Sequence, residues 1–109
     1  MIRHIVLLKF QKDLPQSAID ALFAELHEIE GAIDGLLSIT SGQSESPEQM
    51  ERGYMHGFVV DFADWDALQT YQDHPAHKAL GANLVAASVG GIDGILVFDL
   101  PVNDSASKG

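Results

Sequence analysis

The residues Ile2-Arg3-His4-Ile5-Val6-Leu7-Leu8-Lys9-Phe10 carry the chain's clearest architectural signal. Its residues alternate, with Ile2, His4, Val6, Leu8 and Phe10 on one face and Arg3, Ile5, Leu7 and Lys9 on the other, which is the period of a β-strand. Both faces carry aliphatic side chains, so this strand belongs to a sheet covered on both sides. Whatever covers the second face must come from outside the elements that cover the first.

Outward from that strand, the Gln11 to Pro15 turn leads into a helix predicted from Gln16 to Ile33, with Asp13 or Ser17 as its N-cap. Ile19, Leu22, Phe23, Leu26, Ile29 and Ile33 fall on one helical face and mark the side that packs on the sheet. His27 lies at the edge of that stripe and is assigned no role. Gly31 and Gly35 lead to a second strand, Leu36 to Ser44, and a loop with Pro47 separates it from a third, Tyr54 to Phe62. On the third strand Tyr54, His56, Phe58, Val60 and Phe62 share a face. A short helix capped by Asp64 runs from Trp65 to Asp73, and Pro75 opens a further helical segment presenting His77, Leu80 and Leu84. Gly90-Gly91 ends it, and Ile92 to Leu100 forms the last strand. The order strand, helix, strand, strand, broken helix, strand predicts an α+β fold: a ferredoxin-like split βαβ with a four-stranded antiparallel sheet and helices on one face. Residues 1–100 make one domain, and the small, polar tail 101–109 is expected to be loosely held.

The sheet face carrying Ile5, Leu7 and Val59 is left bare by this arrangement. An apolar face of that size marks an interaction surface. The economical cover is a second copy of the chain, sheet against sheet, in a symmetric homodimer.

Composition bounds the chemistry. A chain of 109 residues holds one core that buries roughly two thirds of the unfolded surface, and a hydrophobic fraction of 46% with mean hydropathy +0.06 fits a globular domain. No apolar run reaches the roughly 18 residues of a membrane span. The start lacks the cleavage pattern of a secretory signal, so the expected location is the cytoplasm. With no cysteine, disulfides and thiolate chemistry are excluded. Sixteen acids against six bases give a net charge of −10 with no Lys/Arg cluster, which argues against nucleic acid and anionic membranes as partners.

The chemistry-bearing stretch is Tyr71-Gln72-Asp73-His74-Pro75-Ala76-His77. Pro75 fixes its own backbone and biases His74 away from the helical region, so Tyr71 and His77 sit on elements that need not share an axis and can aim at one point. If the helices cover the face that carries His4 and His56, those imidazoles look toward the same space. Two readings stand at this point. In one, His77 is an acid or base and Tyr71 a donor to a carbonyl, with Phe23, Leu26, Phe58 and Leu80 as the apolar wall of a small-molecule pocket and His4, His56 and His74 beside it. In the other, the histidines only satisfy one another inside a core. Metal binding is not indicated: His74 and His77 are three apart, but Pro75 interrupts them and no H-E-x-x-H is present. No G-x-S-x-G elbow or phosphate-binding glycine pattern appears, so no cofactor is expected.

The start Ile2 to Phe10, the segment Gly53-Tyr54-Met55-His56, the block Tyr71 to His77 and the ending Val97-Phe98-Asp99 together resemble the stress-responsive A/B barrel (Dabb) family over nearly all of residues 1 to 100. The resemblance implies a dimeric α+β barrel built from two ferredoxin-like protomers. The family includes a plant polyketide cyclase that closes its product by intramolecular aldol condensation without a cofactor. Its acid–base positions correspond to Tyr71 and His77, with His4 and His56 lining the same pocket. An isomerase or lyase acting beside a carbonyl is the same class of chemistry, and a non-catalytic stress-responsive barrel is the alternative. The Ala- and Gly-rich helix from Lys78 to Gly90 departs from what a cyclase pocket needs.

Overall fold

A computed structural model describes residues 1–103. Its elements are β1 (Ile2–Leu8), α1 (Gln16–His27), β2 (Leu36–Gln43), β3 (His56–Phe62), α2 (Trp65–Asp73), α3 (Pro75–Ala87), a 3-10 turn (Gly91–Gly94) and β4 (Ile95–Pro101). The strands form one antiparallel sheet in the order β2-β3-β1-β4, the ferredoxin-like arrangement expected from the element order.

One sheet face is covered and the other is open. Ile2, Val6 and Leu8 of β1 and Phe58, Val60 and Phe62 of β3 are buried with Leu26, Ile29, Leu68, Tyr71, Leu80 and Leu84 in a single core. On the opposite face Leu7, Leu96, Phe98 and Leu100 are exposed, because the strand register sets Leu96 beside Leu7 and Phe98 beside Ile5 with no helix of the described residues over them. Arg3 and Asp61, also cross-strand partners, hold a two-bond ion pair on that face at 3.0 and 3.3 Å.

Element ends differ from the periodic pattern where side chains and turns intervene. The first helix stops at His27 rather than Ile33 because i→i−3 bonds (Ile29 N–H to Leu26, Glu30 N–H to His27, Ala32 N–H to Ile29) tighten the chain into turns; Ile29 and Ile33 still reach the core. Neither Asp13 nor Ser17 caps its start. Pro15, in an extended conformation, is the cap residue, and its carbonyl accepts from Ala18 and Ile19. The second strand stops at Gln43, one residue before Ser44. The third strand begins at His56 and leaves Tyr54 in the loop, where its hydroxyl donates to the Asp93 carbonyl. At the other end α3 closes at Ala87, where the Ser88 hydroxyl donates back to the Leu84 carbonyl. Backbone bonds Val89 N–H to Lys9 O and Lys9 N–H to Gly94 O then pull the following turn onto the end of β1, so β4 starts at Ile95 instead of Ile92. Pro101 belongs to β4 and Val102 N–H donates to Met1 O, so the tail is held two residues further than expected; positions 104–109 lie outside the described residues.

Candidate functional site

The helix break places the site. Asp64 accepts from Ala67 N–H at 2.9 Å and starts α2, whose last turn carries Tyr71. His74 then adopts φ −69°, ψ 135°, and its Nδ1 accepts from Ala76 N–H at 3.1 Å, capping α3 with Pro75 in the first turn. His74 is thus occupied in the backbone and does not line the pocket. The change of axis brings the His77 ring to 4.4 Å from the Tyr71 ring, centre to centre.

From the sheet, His4 meets the same pair. Its ring lies edge-on to Tyr71 at 5.8 Å, and its Nδ1 is 2.5 Å from the Asp99 carboxylate, its cross-strand partner on β4. A cavity of about 320 Å³ opens beside these groups, lined by His4, Phe58, Gln72, His77, Gly81 and Val97 among others. Gly81 adds to its width: a Cβ there would meet nothing within 4 Å.

Hydrogen bonding fixes the imidazole tautomers. The Gln72 carbonyl can only accept, so His77 Nδ1 donates to it at 3.2 Å, and Nε2 keeps its lone pair. The Asp99 carboxylate does the same for His4. Burial pushes the His77 pKa below the ordinary imidazole value; the bond to Gln72 pulls it partly back, and the neighbouring His4 pushes it down again. His77 is therefore a neutral base near pH 7. Tyr71 is 0% exposed, burial holds its phenol well above the ordinary value, and its hydroxyl has no hydrogen-bond partner among the described residues. It is a proton donor at any physiological pH.

The remaining candidates sit elsewhere. His56 is opposite Leu8, four residues along from His4, which at about 3.3 Å per residue is roughly 13 Å away. Its ring packs on Phe10 at 5.2 Å and Phe23 at 6.3 Å, in a second cluster. Leu26 and Leu80 are fully buried core rather than pocket wall. Of the expected set, His4, Phe58 and His77 line this cavity and Tyr71 packs against the His4 and His77 rings without lining it, whereas Phe23, Leu26, His56, His74 and Leu80 lie outside it. Asp99, Gln72, Gly81 and Val97 were not singled out as site residues; only the β1–β4 register, setting Asp99 beside His4 and Val97 beside Val6, points to two of them. Among the described residues no cluster of three or more His, Asp or Glu could hold a metal, and no helix is long and apolar enough to cross a membrane.

A four-stranded antiparallel sheet with three helices on one face and an imidazole-lined cavity between the layers defines a ferredoxin-like α+β domain. The chain belongs to the stress-responsive A/B barrel family, whose model matches residues 2–102. It is 29% identical over 101 residues to a stress-response A/B barrel domain-containing protein of Arabidopsis thaliana, covering 92% of this chain and 85% of that one. It is 25% identical over 80 residues to olivetolic acid cyclase of Cannabis sativa, covering 73% and 79%. Among solved structures, a dimeric ferredoxin-like protein from Jannaschia sp. superposes with a TM-score of 0.87 at 35% identity, covering 93% of this chain and 98% of that one. Hydroxynitrile lyase from Passiflora edulis shares the fold, with a TM-score of 0.82 at 19% identity and 94% of each chain covered.

Proposed function

We propose that the protein is a homodimer that binds a small carbonyl compound in the cavity lined by His4 and His77, with Tyr71 packed behind both rings, and transfers protons beside that carbonyl without a cofactor, as a cyclase, isomerase or lyase. The observation that carries this reading is the Tyr71 hydroxyl, buried with no hydrogen-bond partner among the described residues, on a ring that packs against His4 and His77. A hydroxyl in that position costs about 1–3 kcal/mol unless something accepts from it, and a substrate carbonyl oxygen would. His77 Nε2 removes the proton from the adjacent carbon, Tyr71 O–H donates to the oxygen as it becomes an enolate, and protonated His77 returns the proton to the product. A positioned imidazole contributes about 10²–10⁴-fold to such a step, and a buried donor at a developing oxyanion about 10²–10³-fold. Kinship with a cyclase fits this chemistry. For the assembly, the bare apolar face with Leu7, Leu96, Phe98 and Leu100 and the similarity to a dimeric protein support a sheet-to-sheet homodimer.

The alternative is a stress-responsive barrel in which the polar groups only satisfy one another. The bonds of His4 to Asp99, His74 to Ala76 and His77 to Gln72 favour it. Tyr71 and His56 count against it, since each keeps a buried polar atom without a partner among the described residues. A thermal-shift screen of wild type and His77→Ala against β-keto acids, their thioesters and small aromatic acids separates the two. Stabilisation of wild type by one compound class, lost in the variant, is the outcome expected for a substrate pocket. No stabilisation by any compound, with a lower unliganded Tm in the variant, would leave the structural reading.

A further inference from the structure

A second cavity, of about 350 Å³, lies at the other end of the covered sheet face and shares no lining residue with the His4–His77 pocket. Phe10, Leu14, Ile19, Met55 and Val89 give it apolar walls, and Lys9, Lys12 and His56 are its charged or titratable groups. Three observations single it out. First, two of the six basic side chains of a chain with net charge −10 converge here. Neither makes an ion pair: among the described residues the pairs are Arg3–Asp61 and His4–Asp99. Second, Lys9 is held in place. Its stem lies over Gly53, where a Cβ would come within 2.4 Å of the Lys9 Cε, and its ammonium stands 5.5 Å from the centre of the Tyr54 ring. Gly53, at φ +93°, has a backbone that suits glycine and leaves the room that Lys9 occupies. Third, His56 Nε2 is buried with no hydrogen-bond partner among the described residues.

We propose that this cavity is a binding site for an organic carboxylate with an apolar body, the carboxylate accepting from Lys9, Lys12 and His56 Nε2–H while the body lies along Phe10, Leu14, Ile19, Met55 and Val89. The chemistry follows from the groups present. Two unpaired ammonium groups in an otherwise acidic protein attract an anion, and a charge-assisted bond to a carboxylate is about twice as strong as a neutral one. A cavity of this size, mostly apolar with a few convergent donors, is within the usual range for small-molecule sites. Burial pushes the His56 pKa down, so its ring is neutral near pH 7 and donates a hydrogen bond without adding charge. The site is independent of the acid–base reading of the other pocket.

The test is a methyl and imidazole NMR titration of the full chain with octanoate, with octanol as the uncharged counterpart. Octanoate is expected to shift the Ile19 and Met55 methyls and the His56 ring, to bind more weakly as salt is raised, and to bind more tightly than octanol. The Lys9→Met/Lys12→Met pair should weaken it about tenfold, and Lys12→Gln alone, at an exposed side chain clear of the Tyr54 packing, about threefold. His77→Ala should leave the affinity unchanged. Equal affinity for octanol, shifts confined to His77 and Val97, or unchanged affinity in folded Lys12→Gln and Lys9→Met/Lys12→Met would each overturn the assignment.

Discussion

Replacing Tyr71 with Phe removes one oxygen and keeps the ring, and the structure assigns opposite signs to its effects on stability and turnover. The ring packs on His77 at 4.4 Å, on Phe62 at 5.2 Å and on His4 at 5.8 Å, and Phe preserves all three contacts. The hydroxyl is buried with no partner among the described residues, so in the unliganded protein it carries a desolvation penalty of about 1–3 kcal/mol that Phe does not. Allowing for relaxation of the site, Tyr71→Phe is expected to stabilise by about 1 kcal/mol, which for a domain of this size raises Tm by about 4–8 °C. The same change deletes the donor to the developing enolate and should lower turnover about 10²–10³-fold. Circular-dichroism melts of both proteins give the first number, and assays on any compound found to stabilise the wild type give the second. A Tm several degrees below wild type would mean that the hydroxyl is satisfied in the folded protein and so is not waiting for a substrate oxygen. A more stable variant with undiminished turnover would remove Tyr71 from the chemistry.

Acidification should act through His56 and His77, both shifted below the ordinary imidazole value of 6.5 mainly by burial. The unfolded chain then binds more protons than the native one between the folded values and 6.5, so stability is complete above that value and falls as pH drops through the window. Urea melts from pH 8 to 5 should show the decline, and His77→Gln should reduce its slope; an identical slope would contradict the assignment. Phe98→Asp places a charge at a side chain 60% exposed on the bare sheet face. Light scattering should report about twice 11.8 kDa for wild type and 11.8 kDa for the variant, and a monomeric wild type would refute the dimer. Gly81→Ala, inside α3 with open space around its Cβ, should stabilise by about 0.5–1 kcal/mol, whereas Gly81→Phe should fill the cavity and abolish ligand binding with the fold retained; ligand-induced Tm shifts that survive in Gly81→Phe would place the ligand elsewhere.

The two-faced pattern of Ile2 to Phe10 and the helix stripe of Ile19, Leu22 and Leu26 made the fold legible, since burial on a sheet or helix is written in residue period. The junction at Pro75 was equally legible: proline chemistry alone separates α2 from α3 and turns Tyr71 and His77 toward one another. The site was only half legible because period reports the face of a strand and not the position along it. His4 and His56 do share a face, but antiparallel register sets His56 opposite Leu8 and sends it to Phe10 and Phe23. Register likewise sets Asp99 beside His4, a pairing between residues 95 positions apart that no local pattern encodes. His74 lies outside the cavity for a simpler reason. Next to a proline at a helix start, a polar side chain is a cap before it is a ligand.

Proton transfer beside a carbonyl by His77 can be measured by deuterium exchange without knowledge of the natural substrate. Wild type and His77→Ala would be incubated in D₂O with a panel of small ketones and β-keto thioesters, and deuterium at the carbon next to the carbonyl followed by NMR. Proton transfer by His77 predicts exchange well above the uncatalysed rate for at least one compound class with wild type, and background exchange with His77→Ala. Background exchange across the whole panel with wild type, or equal exchange in a folded His77→Ala, would contradict it.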